Sequence, residues 1–154
     1  MSDISTRQFI TFTIGAEEYG IDIMAIREIK GWTASTELPN TPAYLRGVIN
    51  LRGAIVPILD LRARFGGDRT EASARNVIIV VAVGTRVAGI LADAVADILT
   101  VSVEDIRPVP QIDHGHADDF LTGLVTVEGR MVALLDLDHV FDFEEMAEAT
   151  EGAA

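Results

Sequence analysis

The sequence predicts a mainly β protein built as two similar small barrels packed side by side. Three observations predict it. The chain repeats itself, each copy breaks into short β-rich segments divided by turn residues, and 49% of the 154 residues are apolar. That apolar share is enough for a real core, and a charged share of 23% is too low for a chain that stays disordered.

The repeat falls in two ungapped blocks. Arg46 to Phe65 lies over Thr122 to Phe141, with seven of twenty positions identical: Gly47/Gly123, Gly53/Gly129, Val56/Val132, Leu59/Leu135, Asp60/Asp136, Leu61/Leu137 and Phe65/Phe141. Unrelated segments of ordinary composition would share roughly one. Upstream, Phe9 to Ile29 lies over Ile78 to Ile98, where Gly15/Gly84, Gly20/Gly89, Ile21/Ile90, Ala25/Ala94 and Ile29/Ile98 are identical. The two registers differ by seven residues, so the second copy carries a longer loop between Leu99 and Leu121. Two such copies argue for two like-folded subdomains, approximately 9–67 and 76–143, with strands open to exchange between them, rather than for a solenoid.

Taken in order, Phe9 to Ile14 is β-rich and puts Ile10, Phe12 and Ile14 on one face. Gly15 to Glu18 turns the chain, and Tyr19 to Asp22 begins a second strand. Asp22 can cap a short helix, Ile23 to Lys30, with Gly31 as its stop. Val48 to Leu51 and Ala54 to Leu59 are apolar runs split by Arg52-Gly53, a pair suited to a tight hairpin turn, and Glu128-Gly129 repeats the device. Pro57 cannot donate to a ladder, so it marks an edge or a bulge. Asp60 and Asp136 each follow an apolar strand and precede a helical turn, as N-caps do. Asn76 to Val83, Arg86 to Ala92 and Ile98 to Val103 are strands of the second copy. Each unit thus holds about five short strands and one or two helical turns, which suits a small closed barrel without exposed edges. A barrel of that size is marginal alone, and pairing two buries more apolar surface. One larger β-sandwich is the alternative arrangement.

Composition narrows the function. A net charge of −12 repels phosphate backbones and anionic membrane surfaces, so no nucleic-acid partner is expected. The longest apolar run, Val77 to Val83, suits a buried strand and is far too short to span a bilayer, so no direct membrane insertion is expected. Met1 to Arg7 is polar and gives no signal peptide. The chain has no cysteine, which rules out a disulfide scaffold, a thiol nucleophile and a cysteine metal site. Glu144, Glu145, Glu148 and Glu151 make an acidic end, read over 147–154 as a solvated, flexible tail.

Chemistry is sparse. The three histidines are His114, His116 and His139. His114 and His116 lie beside Asp113, Asp118 and Asp119, a permissive spacing for a metal, but no further His or Cys is nearby. The G-x-S-x-G, P-loop, G-x-G-x-x-G and H-E-x-x-H patterns are not in the sequence. Asp60 and Asp136 are better explained as caps than as an acid–base pair. A metal-dependent hydrolase using the His/Asp loop is the rival class; the expectation is no enzyme, no cofactor and no metal, and a chain that works by binding.

Tyr44 to Gly66, YLRGVINLRGAIVPILDLRARFG, strongly resembles the signature of the CheW family. So do Glu18 to Ile23, Arg27-Glu28-Ile29 with Asn40-Thr41-Pro42, Val87 to Ile90, and Ile106-Arg107-Pro108. The resemblance covers residues 8–146 in order, as a single CheW-like domain. It implies two SH3-like five-stranded barrels side by side. It also implies a cytoplasmic adaptor of bacterial chemotaxis, recruited to membrane-bound receptor arrays, that bridges the cytoplasmic tips of methyl-accepting receptors to the regulatory domain of the histidine kinase CheA. An adaptor of a related chemosensory system with another output, such as surface motility, would share fold and sites. By the same resemblance, Ile23, Ile26, Glu28, Gly47, Arg52 and Val87 fall where the family contacts the receptor, and Gly31, Ala34, Arg107 and Ile112 on surfaces that meet the kinase. Glu28 and Arg52 could pair and shape the rim of the receptor groove. Within the signature, Arg46, Asn50, Arg52 and Pro57 do not recur; Thr122, Thr126, Glu128 and Ala133 stand in their places. Of these, Arg52 is the expected functional residue, because its counterpart reverses the charge at the same hairpin position.

Overall fold

The computed structural model describes residues 5–110 and 120–143. Ten strands form two five-stranded sheets, in the orders β8-β1-β2-β10-β9 and β3-β6-β7-β5-β4. The first copy supplies β1 (Thr6–Ile14), β2 (Glu17–Asp22), β3 (Ile26–Gly31), β4 (Leu45–Leu51), β5 (Ala54–Asp60) and the helical turn α1 (Leu61–Arg64). The second supplies β6 (Val77–Val83), β7 (Arg86–Ala92), β8 (Ala94–Ser102), β9 (Leu121–Val127), β10 (Arg130–Leu135) and α2 (Leu137–Val140).

Each sheet draws on both copies. β1 and β2 pair with β8 and β10, while β6 and β7 pair with β3 and β5. The exchange is symmetric to the residue. Ile29 opposite Ile79 recurs as Ile98 opposite Ile10, Val48 opposite Pro57 as Leu124 opposite Ala133, and Ile58 opposite Gly89 as Leu134 opposite Gly20. The bulges recur too: pairing skips Arg27 and Arg46 in one sheet, Ala96 and Thr122 in the other. A pseudo-twofold axis therefore relates the two units.

Neither sheet is a fully closed barrel. In each, the segment leaving one end strand returns to the other by a single bridge. Thr36 pairs with Val48 of β4, and Arg107 pairs with Leu124 of β9. Gly47 and Gly123 permit this approach. A Cβ at Gly47 (φ 135°) would clash with the Thr36 carbonyl and lie 2.7 Å from its carbon. A Cβ at Gly123 would lie 3.0 Å from Arg107 O and 2.7 Å from Ile106 Cγ2. The recurrence of this glycine in the sequence is thus a closure requirement.

Three apolar clusters follow. Ile49, Val56, Ile58, Ile78, Val80 and Leu91 fill the second sheet's unit, and Phe9, Val101, Val125, Val132 and Leu134 fill the first. The largest cluster lies between the units and includes Phe12, Ile21, Leu59, Leu61, Ile79, Val81, Ile90, Val140 and Phe141. The seam between the units is therefore packed core, and burial there holds the pair together.

Both hairpin turns form as expected, with positive φ at both central residues: Arg52 (52°) and Gly53 (88°), Glu128 (49°) and Gly129 (80°). Four expectations are corrected. The helix over Ile23–Lys30 is a 3₁₀ turn, Ile23–Ala25, followed by β3. Asp22 does cap it, accepting from Met24 N at 2.9 Å, but β-branched Ile26 and Ile29 and a pairing partner in β6 draw the rest into a strand. The strand expected from Ile98 begins earlier, at Ala94. Pro57 sits in an interior strand, yet the β7 ladder begins one residue later at Ile58, so no partner on that side needs its missing donor. Asp136 makes no side-chain cap; its carboxylate takes His139 Nδ1 at 2.7 Å instead.

Candidate partner-binding surface

Arg52 stands at the tip of the β4–β5 hairpin. Asn50 Oδ1 accepts from Gly53 N at 2.9 Å and fixes the turn. The Arg52 side chain is 75% exposed, and its Nη1 donates to Glu28 Oε1 at 2.6 Å. Glu28 lies on β3 and Arg52 on the β4 hairpin, the opposite ends of one sheet order, so the pair links the two end strands of the unit. An exposed pair of this kind is worth about 0–1 kcal/mol, so its consequence is the orientation of Arg52 rather than stability.

The other residues expected at the receptor contact do not share one face with this pair. The bulge in β3 sets Ile26 opposite Val81 and Glu28 opposite Val80. Val81 belongs to the seam cluster and Val80 to the interior of the unit, so residues that an unbroken strand would present together point apart. Ile26 packs, half-buried, on the seam cluster. Val87, exposed, lies on β7 opposite Ala82. Gly47 is buried on β4, where it admits the Thr36 segment.

Ile23 lines a groove of about 480 Å³ with Met24, Asp22, Arg7, Gln8 and Thr100, where the chain crosses from one sheet to the other. Met24 projects from this turn, 81% exposed. It was not nominated from sequence; a methionine between isoleucines at a capped turn is the signal that marks it. Arg7 Nη2 donates to Asp22 Oδ2 at 2.6 Å on the groove's rim. Burial opposes ionisation of Asp22, but bonds from Arg7 and Met24 N and the Arg7 charge outweigh it and hold the carboxyl below its ordinary range.

Gly31, the last residue of β3, and Ala34, on the segment leaving it, are exposed; Arg107 is exposed on the segment leaving β8. These are the two equivalent closing segments, one on each unit. Ile112, His114, His116 and the tail 147–154 lie outside the described residues.

Of Arg46, Asn50, Arg52 and Pro57, which do not recur in the second copy, Arg46 and Asn50 are structural. Arg46, the bulged residue of β4, turns to Asp60 (Nη1 to Oδ2, 3.0 Å) and to Thr70 O (2.7 Å). Asp60 is wholly buried and also accepts from Thr70 N at 2.7 Å and Thr70 Oγ1 at 3.0 Å. Its lone pairs are committed, which leaves nothing for general-base work. Asn50 serves the turn. Arg52 alone of the charged pair presents its head to solvent. Among the described residues no group of three or more His, Asp or Glu is placed to hold a metal, and no helix is long and apolar enough to cross a membrane.

Two strand-exchanged SH3-like units, with an exposed arginine at a hairpin tip, an exposed apolar turn and two equivalent closing segments, make a protein-binding module. The CheW-like domain family matches residues 8–145, and the chain belongs to that family. It is 51% identical over 139 residues to the chemotaxis protein CheW of Rhizobium meliloti (strain 1021), covering 90% of each chain. It is 44% identical over 141 residues to the chemotaxis protein CheW of Klebsiella aerogenes, covering 92% of this chain and 85% of that one. The crystal structure of the scaffolding protein TtCheW from Thermoanaerobacter tengcongensis superposes with a TM-score of 0.81 at 30% identity, over 88% of both chains. The chain is accordingly an adaptor of chemotaxis signalling.

Proposed function

We propose that this adaptor couples the cytoplasmic tips of methyl-accepting chemoreceptors to the regulatory domain of the histidine kinase CheA, in the cytoplasm and at receptor arrays. It does so by binding and carries out no catalysis. Receptor contact falls to the side of Arg52, with Glu28, Ile23, Ile26 and Val87, and with Gly47 holding β4 in place behind them. Kinase contact falls to the closing segments, at Gly31 and Ala34 on one unit and at Arg107, with Ile112, on the other. The observation that supports this most is Arg52 itself: exposed, held by a turn and an ion pair, and replaced by Glu128 at the equivalent hairpin. A receptor tip is a helical hairpin, and an amphipathic helix lays its apolar face over aliphatic residues while a flanking charge fixes its register.

Arg52→Glu tests the reading. Titration of receptor tip and of kinase regulatory domain into the variant is expected to show receptor affinity reduced about tenfold or more, the range of a reversed contact charge, with kinase affinity unchanged. Equal loss of both, or loss of the β-sheet circular dichroism signal, sinks the assignment.

A further inference from the structure

The two units meet at α1 and α2, and there one side chain of α1 reaches across to the other turn. Arg64, the last residue of α1, has Val140, the last residue of α2, as its counterpart in the repeat. Val140 is fully buried in the seam. Arg64 reaches across the axis and donates from Nε to Val140 O at 2.8 Å and from Nη2 to His139 O at 3.3 Å. It thus satisfies the carbonyls at the end of the opposite helical turn. Its guanidinium is also held between two rings, 4.4 Å from the centroid of Tyr44 and 4.5 Å from that of Phe120. Tyr44 leads into β4 and Phe120 into β9, so the two rings belong to different units. Phe120 continues a row of rings, Phe65, Tyr19 and Phe12, that runs along the seam.

We propose that Arg64 is the positioning residue that sets the angle between the two units. The apolar seam supplies attraction without direction, because burial is insensitive to rotation about the contact. The two hydrogen bonds and the paired ring contacts supply direction: a planar guanidinium between two rings, with donors in its own plane, tolerates little rotation of one unit against the other. The proposed receptor contacts lie on one unit and the proposed kinase contact at Arg107 on the other, so this angle fixes how those two surfaces face each other. That consequence rests on the function proposed above; the angle itself does not.

The chain lacks cysteine, which permits spin labels at introduced cysteines without background. Ala54→Cys and Thr126→Cys place labels at exposed positions, one on each unit. In that background Arg64→Met removes the fork and keeps an apolar stem. The expected result is a broadened or shifted label-to-label distance distribution, together with amide exchange at Val140 and Phe141 about tenfold faster or more, as the loss of two bonds from a charged donor implies. Faster exchange with an unchanged distance distribution makes Arg64 a local support only and overturns the proposal, as does no change in either. If Arg64→Met fails to fold, Arg64→Lys decides: it keeps the charge but not the planar fork, and a distribution as narrow as the parent's overturns the proposal. Partner binding to the labelled parent is read separately, so failure of the functional reading leaves the distance result standing.

Discussion

Replacing Gly47 by alanine separates a closure role from a contact role. In the native chain, Thr36 N donates to Val48 O at 2.8 Å and Val48 N donates to Thr36 O at 2.9 Å. A Cβ at position 47 collides with the Thr36 carbonyl, a backbone group that cannot swing aside, and lies 3.1 Å from Glu37 Cα. The segment must move, and both bonds are lost at about 1 kcal/mol each. Residue 47 also has φ 135°, a conformation that costs an L residue about 1–3 kcal/mol. The sum is about 3–5 kcal/mol, a large part of the stability of a domain this size. Gly31→Ala is the control: nothing lies within 4 Å of its Cβ position, so its cost should stay within about 0.5 kcal/mol. Urea unfolding of the two variants, with amide exchange at Val48, measures both. A loss below about 1 kcal/mol at Gly47 would refute the closure argument. So would weakened receptor binding at unchanged stability, which would make Gly47 a contact rather than a support.

Two other perturbations follow from the buried groups. Arg46→Met leaves the Asp60 carboxylate buried with Thr70 and Ala63 as its donors, and should cost about 3 kcal/mol by urea unfolding; adding Asp60→Asn should recover part of that loss, and an equal or larger loss in the double variant contradicts the pairing. Tyr19 has its pKa pushed up to about 12 by burial and by the neighbouring Glu17 charge. The folded state therefore keeps a proton that the unfolded chain releases near its ordinary value of about 10, so stability is undiminished below that value and falls as pH rises toward 12. Tyr19→Phe should flatten that alkaline decline in urea midpoints; an unchanged slope would show that Tyr19 does not carry it.

Much of the fold was legible because the repeat constrains it twice. Hairpins at Arg52-Gly53 and Glu128-Gly129, read once from turn chemistry and again from self-similarity, form with the backbone angles those residues favour. Less was legible where spacing fits two periods. Ile23, Ile26 and Asp22 suit a capped helix as well as a capped turn and strand, and the decision fell to pairing with β6, a partner fifty residues away in sequence. Strand exchange leaves no local trace either, since a repeat says which segments are alike and not which of them pair. The bulge at Arg27 then divided Ile26 from Glu28, which the strand's alternation alone would have joined. Among the residues of the signature that do not recur, sequence could not tell Arg46 from Arg52. Only Asp60, fourteen positions on and fully buried, shows that the first is an internal partner, while the second keeps its head in water.

Sedimentation velocity on the three purified components tests the coupling most directly. Receptor tip and kinase regulatory domain are mixed with this protein at concentrations that saturate each binary complex. A single faster-sedimenting species containing all three is expected, because coupling requires receptor and kinase to be bound at once. Two binary complexes that displace each other, with no ternary species at any ratio, would contradict it.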